Sequence, residues 1–259
     1  MVSTVAAPIR GETYTIEPSR DGITVNGIPV DVANVVHHGP RVDLKLGTTV
    51  AFIVEHPLAA LGACGIHAAV VTGTRDAWDF FRPADREALA RGQEPSAVVG
   101  PADGSIGRGV LEAVMAAGIV DTGVPLPRLA VASRVELTFN GGNRISIAPP
   151  ARGDEPGLRI TVKLPGTTPV SVHHALGSAI VDGEGTDIRG SLLSARSAAI
   201  AGPCQEAVLH AIGDVIADIS VLGGITDGII DASLGLAYHR CTIGLVKHLH
   251  GTGRLVAVP

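Results

Sequence analysis

The chain has 259 residues, 46% of them hydrophobic and 17% charged, enough to bury a sizeable core and unlike a disordered tail. A formal charge of −5, with no Lys/Arg run longer than two, excludes the basic footprint of a nucleic-acid binder and points to a small-molecule substrate. Cys64, Cys204 and Cys241 are widely separated and form no C-x-x-C pair, which argues against a disulfide framework or structural zinc cluster and for a reducing compartment.

The first ten residues lack the basic start and unbroken apolar block of a signal peptide. The most apolar stretch, 208–225, is interrupted by His210, Asp214 and Asp218, so no membrane span is expected. A soluble cytoplasmic protein is the expectation; the sequence leaves the oligomeric state open.

Thr13 to Glu17 and Ile23 to Val25 alternate as strands about the Asp21-Gly22 turn, and strand-like runs follow at Ile28 to Val36 and Val42 to Leu46. Val54-Glu55-His56-Pro57-Leu58 then feeds a helix. Adjacent Glu and His ahead of a helix can divide metal-assisted hydrolysis: the imidazole binds the ion and the carboxylate takes a proton from the attacking water. Arg75 to Pro95 carries most of the aromatics and many charges and reads as an insertion, with a helix expected at Ala84 to Ala90; another helix is expected at Gly107 to Ala117.

Thr122 to Pro127, with two prolines and a glycine, is a natural boundary. Beyond it Ala130 to Phe139, Asn143 to Ala148 and Leu158 to Leu164 alternate as strands, and Asp187 to Ile200 reads as another. Strands precede helices in both halves, so the expected fold is α+β, two units of similar build over residues 1–122 and 123–259. Near the end, Pro203 suits the first turn of a long helix that would set Glu206, His210 and Asp214 in one row. An E-x-x-x-H pair can share one ion; a helix turning its polar face to water gives the same pattern.

Thr48-Thr49-Val50 with Val54-Glu55-His56-Pro57-Leu58-Ala59-Ala60-Leu61 resembles the T-V-E-H-L-x-x-A-L motif of the zinc-dependent UDP-3-O-acyl-N-acetylglucosamine deacetylases of lipid A biosynthesis. Pro101-Ala102-Asp103-Gly104-Ser105 resembles that family's P-x-L-D-G-S turn, Ser194 to Ala199 its S-A-R-T-F segment, and Leu209 to Val215 its L-D-A-I-G-D-L. The resemblance implies that the two units are two-layer α/β sandwiches with the active site, a metal site, between them. Aligned on Ile212-Gly213-Asp214, the family's H-K-x-x-D-x-I-G-D motif has its two ligand positions filled here by Glu206 and His210, an exchange of carboxylate and imidazole, and its lysine by Ala207.

On that alignment His56, Glu206 and His210 hold Zn²⁺, or Fe²⁺, and Glu55 is the general base. Ser197 stands where the family has its oxyanion threonine. His239 stands at the general-acid histidine, supported by Asp214, with Tyr238 and Thr242 replacing the glycine and asparagine of the family's G-H-x-x-N. Only Ile200 to Cys204 intervenes where the family inserts its acyl-chain passage. The expected activity is therefore hydrolysis of a linear amide, an N-deacetylase acting on an acetamido sugar, nucleotide sugar or similar small polar molecule. The lipid A deacetylase reaction itself and a non-catalytic ligand-binding relative are the alternatives.

Overall fold

The computed structural model describes residues 1–10, 14–38, 41–51, 54–73, 108–175, 180–235 and 238–258. The fold is mixed α and β, as expected. Strand alternation explains its sheets: in β14 (Gly157–Lys163) Leu158, Ile160 and Val162 are buried while Arg159, Thr161 and Lys163 face outward or lie at the margin.

One sheet runs β2 (Ile9–Arg10), β3 (Tyr14–Pro18), β9 (Ala69–Gly73), β4 (Ile23–Val25), β5 (Ile28–Pro29). A second runs β12 (Val135–Thr138), β13 (Arg144–Ala148), β17 (Ile225–Ser233), β14, β15 (Val170–Ala175), β16 (Ile180–Val181). Over their first five strands the two sheets share both order and sense. Along each five-strand run one parallel pair (β9 with β4, β17 with β14) is flanked by antiparallel partners, and in the second sheet β11 (Arg128–Val131) also pairs parallel with the start of β17. A parallel pair needs a crossover, and in each half a helix supplies it. Helix α1 (Glu55–Ala63) connects β4 to β9, and a chain of helices ending in α5 (Gln205–Ser220) connects β14 to β17.

Among the described residues no strand pairing joins residues before 122 to residues after it; β1 (Ser3–Val5) pairs with β10 (Ile119–Asp121), and β6 (Val35–His38), β7 (Arg41–Leu46) and β8 (Thr49–Ala51) form their own sheet. The halves meet through α1 and α5, which pack against each other more extensively than any other helix pair. Small residues on α1 permit the approach. Ala59, Ala60 and Ala63 are fully buried, and a Cβ at Gly62 would lie 2.9 Å from Ile216 Cγ2. This contact aligns the start of α1 with the first half of α5 and brings His56 alongside His210.

Three expectations need correction. The run 28–36 is not one strand: β5 ends at Pro29, a turn occupies 31–34, and β6 begins at Val35 in another sheet. Residues 187–200 are not a strand: they form α3 (Arg189–Ser194) and the single turn α4 (Ala198–Ala201). Leu192 and Leu193 are both buried between exposed neighbours, a spacing that strand alternation cannot satisfy. Residues 130–139 are two strands, β11 (Arg128–Val131) and β12, broken at 132–134. The helix expected at 107–117 is present as α2 (Arg108–Ala117), with residue 107 outside the described residues. The expected helix at 84–90, the 75–95 insertion and the turn at 101–105 lie outside the described residues.

Among the described residues no helix is long and apolar enough to cross a membrane. The chain closes with α6 (His239–Gly251) and β18 (Leu255–Val258), the latter paired with β11.

Away from the helix pair's polar row, His67 and His174 are each pushed down to about 4 by burial. Both rings are neutral in the fold and take protons below 6.5 once the chain unfolds. The unfolded state therefore binds more protons, and stability falls as pH drops from about 6.5 to about 4. Replacing both by Gln, which keeps a hydrogen-bonding side chain without titration, should flatten the fall of the urea midpoint over this interval. The remaining slope would include that of His56, also lowered to about 4. An equally steep fall in the double variant would assign the effect to other groups.

Candidate metal centre

The site is built where the start of α1 meets the inner face of α5. His56, His210 and Asp214 each offer one ligand atom, and the three atoms lie within 4.8 Å of one another. His210 Nε2 is 3.4 Å from Asp214 Oδ2. Ligands about 2.0–2.1 Å from a tetrahedral ion stand roughly 3.3 Å apart, so this edge already has the separation a metal needs. The ring of His56 meets that of His210 edge-on, with centroids 5.6 Å apart.

The surroundings select the binding nitrogen. His210 Nδ1 lies 3.1 Å from the carbonyl oxygen of Ala195, to which it donates. That bond leaves the Nε2 lone pair directed at the cluster, the arrangement that orients metal-binding imidazoles generally. Asp214 is almost fully buried, and its Oδ1 has no hydrogen-bond partner among the described residues. Burial pushes the Asp214 carboxyl up, but His210, His239, His56 and the Tyr238 hydroxyl together outweigh it and hold the group below the usual carboxylate range. Burial, opposed by Asp214 and assisted by His210 and His239, pushes His56 down to about 4, so the ring is neutral near pH 7, as a ligand must be. A buried anion with an orphaned oxygen beside two neutral-capable imidazoles fits a divalent cation by donor set, charge and spacing.

Glu55 sits in the first turn of α1, buried to 3% exposure, with one carboxylate oxygen accepting the Val42 N–H at 3.0 Å. Burial pushes it up to about 8, against the pull of His239. The charge of an ion bound next door would act in the opposite direction. His239 stands on the far side. Its Nδ1 is 2.9 Å from Asp218 Oδ2, and its Nε2 is 3.6 Å from Asp214 Oδ2. Burial lowers its pKa, but Asp218 and, behind it, Asp214 and Glu55 raise it to about 10, so the ring is an imidazolium with its Nε2–H turned toward the cluster.

No family model matches this chain, and no curated protein matches it.

The structure brings together Glu55, His56, His210, Asp214 and His239, and departs from the expected assignments in three places. Glu206, expected as a ligand, is turned away: Arg196 clasps its carboxylate through Nε at 2.7 Å, Nη2 at 3.0 Å and its backbone N–H at 3.1 Å. That pair is substantially exposed and holds Glu206 below the usual range. Successive i, i+4 residues rotate by about 40° around a helix. Glu206 therefore points well away from Asp214, and Asp214 is the carboxylate that stands with His56 and His210 in the candidate cluster.

Asp214 in turn is not the residue that supports His239; Asp218, one turn further on, holds its Nδ1 and also accepts from the Thr242 hydroxyl. Ser197 is half-buried at the start of α4, and its hydroxyl makes no hydrogen bond among the described residues. The structure thus does not link Ser197 to the cluster.

Tyr238 and Asp218 had been given no role by sequence. The Tyr238 hydroxyl donates to Asp214 Oδ2 at 2.5 Å from a fully buried position. Such a bond fixes which oxygen and which direction the carboxylate presents. Tyr238→Phe is expected to weaken metal affinity ~10- to 100-fold, as loss of an outer partner does. Competition with a chelator of known affinity measures this, and unchanged affinity would remove Tyr238 from the centre.

Proposed function

We propose that this chain is a metal-dependent amide hydrolase of the deacetylase kind. The observation that carries the reading is a buried carboxylate, Glu55, immediately beside a two-histidine, one-aspartate cluster, with the charged His239 opposite it. Two histidines and one carboxylate leave coordination positions open, as a catalytic site requires and a structural site does not.

Zn²⁺ held by His56, His210 and Asp214 would polarise an amide carbonyl and lower the pKa of the attacking water. Glu55 would take the proton from that water: burial raises its basicity, and the charge of a bound ion would offset part of that rise and favour the ionised form that can accept the proton. His239 donates from Nε2, first to the oxyanion and then to the departing amine, while Asp218 keeps the ring charged and oriented. Tyr238 and the Ala195 carbonyl hold two of the ligands in place.

The resemblance to the UDP-3-O-acyl-N-acetylglucosamine deacetylases supports the same reading once the helix is shifted by one turn. His210-Ala211-Ile212-Gly213-Asp214-Val215-Ile216-Ala217-Asp218 then follows H-K-x-x-D-x-I-G-D with histidine and aspartate in the family's own order. No exchange of ligands is needed, and Ala211 takes the place of the lysine. Between Ser197 and Gln205 the chain makes only α4 and a turn, which provides no strand-helix-strand passage for a long acyl chain. A short acyl group on a polar molecule, an acetamido sugar or nucleotide sugar, suits the site better than a lipid A precursor.

The test is amine release from N-acetylglucosamine and its UDP derivative by protein reconstituted with one equivalent of Zn²⁺. Release that depends on the metal supports the reading. Stoichiometric metal with no release across short-chain and long-chain acetamido substrates would overturn it in favour of a binding protein.

A further inference from the structure

At the opposite ends of α1 and α5 from the candidate cluster, the two halves of the chain line a partly open cavity of about 310 Å³. None of Glu55, His56, His210, Asp214 or His239 lines it. We propose that this cavity is a second binding site, for a small uncharged molecule with an apolar body and one hydroxyl or amide group.

The walls explain the apolar body. Ile23, Val30, Ile66, Leu126, Leu158 and Ile216 supply branched apolar side chains to the lining, which also includes glycines, Gly62 and Gly224 among them. The space cannot simply be closed by small adjustments: a Cβ on Gly224 would lie 2.7 Å from the Pro127 carbonyl oxygen, so the backbone there is already in contact. Volumes of this size hold small ligands, which favour clefts between packed halves of a chain.

The polar group follows from two residues of the lining that each carry a buried polar atom without a partner among the described residues. Thr226 is 4% exposed, and neither its hydroxyl nor Nδ1 of His67 has a hydrogen-bond partner among the described residues. A hydroxyl and an imidazole nitrogen can each donate or accept, so one ligand hydroxyl or amide set between them could satisfy both. Of the other polar side chains in the lining, His174 has a partner in the backbone carbonyl of Gly62 and the Ser220 hydroxyl donates to the carbonyl of Ala217.

The sign of the charge is also restricted. Helices α1 and α5 both end at this cavity, and their carbonyl ends carry partial negative charge that disfavours an anion. The two imidazoles are uncharged at neutral pH, and the described lining holds no Lys or Arg; the N-terminal ammonium and Arg189, which help lower His67 and His174, stand outside it. Asp21 is the acidic residue of the lining, and it is exposed. Water could fill such a volume at about 30 Å³ per molecule, but the apolar walls give most of those molecules no partner.

Octan-1-ol, octane and octanoate separate these features, with binding followed by titration of the isoleucine methyl resonances of Ile23, Ile66 and Ile216 in the full chain. Octan-1-ol should bind saturably and at least ten-fold more tightly than octanoate, and at least five-fold more tightly than octane. Thr226→Val should bring octan-1-ol down to the octane level while leaving Zn²⁺ affinity unchanged. Val30→Phe, at the half-buried margin, should abolish all three. Absence of a saturable shift for octan-1-ol, a cavity that holds water only, octanoate binding as tightly as the alcohol, or full affinity in folded Thr226→Val would each overturn the proposal.

Discussion

Asp214→Ala is expected to leave the protein unable to retain Zn²⁺, while Glu206→Gln retains it at one ion per chain. The two residues lie two turns apart on α5, and a helix advances by 3.6 residues per turn, so only one of them can face His56 together with His210. The structure turns Asp214 inward, 3.4 Å from His210 Nε2, and gives Glu206 to Arg196 at the surface. Loss of a direct ligand should exceed the ~10- to 100-fold that loss of an outer partner costs. Glu206→Gln removes only a solvent-screened ion pair, so stability should change little. Dialysis against a weak chelator followed by elemental analysis reads both variants, with circular dichroism to confirm folding. A Glu206 variant that loses the ion while the Asp214 variant keeps it would restore the alignment in which Glu206 is the ligand.

That contrast also shows where the sequence stops being readable. The row of ionisable groups on α5 is plain in the spacing, but it continues: Glu206, His210, Asp214 and Asp218 are all four residues apart, and Ile212-Gly213-Asp214 is followed by the similar Ile216-Ala217-Asp218. A row with a four-residue period looks the same after a shift of four. The rotation of α5 against α1 decides the register, and that rotation is set by tertiary contacts such as Gly62 against Ile216.

Glu55 and His56 needed no such contact, because an adjacent pair at a helix start is placed by local structure alone. The strands around residues 144–148 and 157–163 were equally legible, since alternation of buried and exposed positions is written residue by residue. Residues 187–200 were not, because two short helical pieces around a bend at 195–197 give too few turns for a 3.6-residue period to show. Tyr238 was visible only as a departure from a glycine; its partner, Asp214, is 24 residues earlier and reached only through the packing of α6 on α5.

Glu55→Gln is expected to reduce amide hydrolysis by ~10²- to 10⁴-fold, the usual contribution of a positioned base, with metal content unchanged. Gln keeps the size of the side chain and an oxygen that can accept the Val42 N–H, so the first turn of α1 and the neighbouring His56 should hold their places. What is lost is the ability to take a proton.

The same variant carries a signature in stability that a purely structural role would not produce. Burial raises Glu55 from 4.5 to about 8, so in the metal-free chain the folded state keeps a proton that the unfolded state releases. Stability from this group is therefore full below about 4.5 and is lost as pH rises through about 8. Replacing the carboxylate by an amide removes this loss, and metal-free Glu55→Gln should unfold at higher urea than the parent at pH 8 to 9 while matching it near pH 4.5. Bound Zn²⁺ favours the ionised carboxylate, so the advantage of the variant should shrink when the ion is present. Loss of activity together with a gain of stability at high pH assigns Glu55 as a base held in an unfavourable place for chemistry. Undiminished turnover in a variant that retains its metal would place the proton acceptor elsewhere.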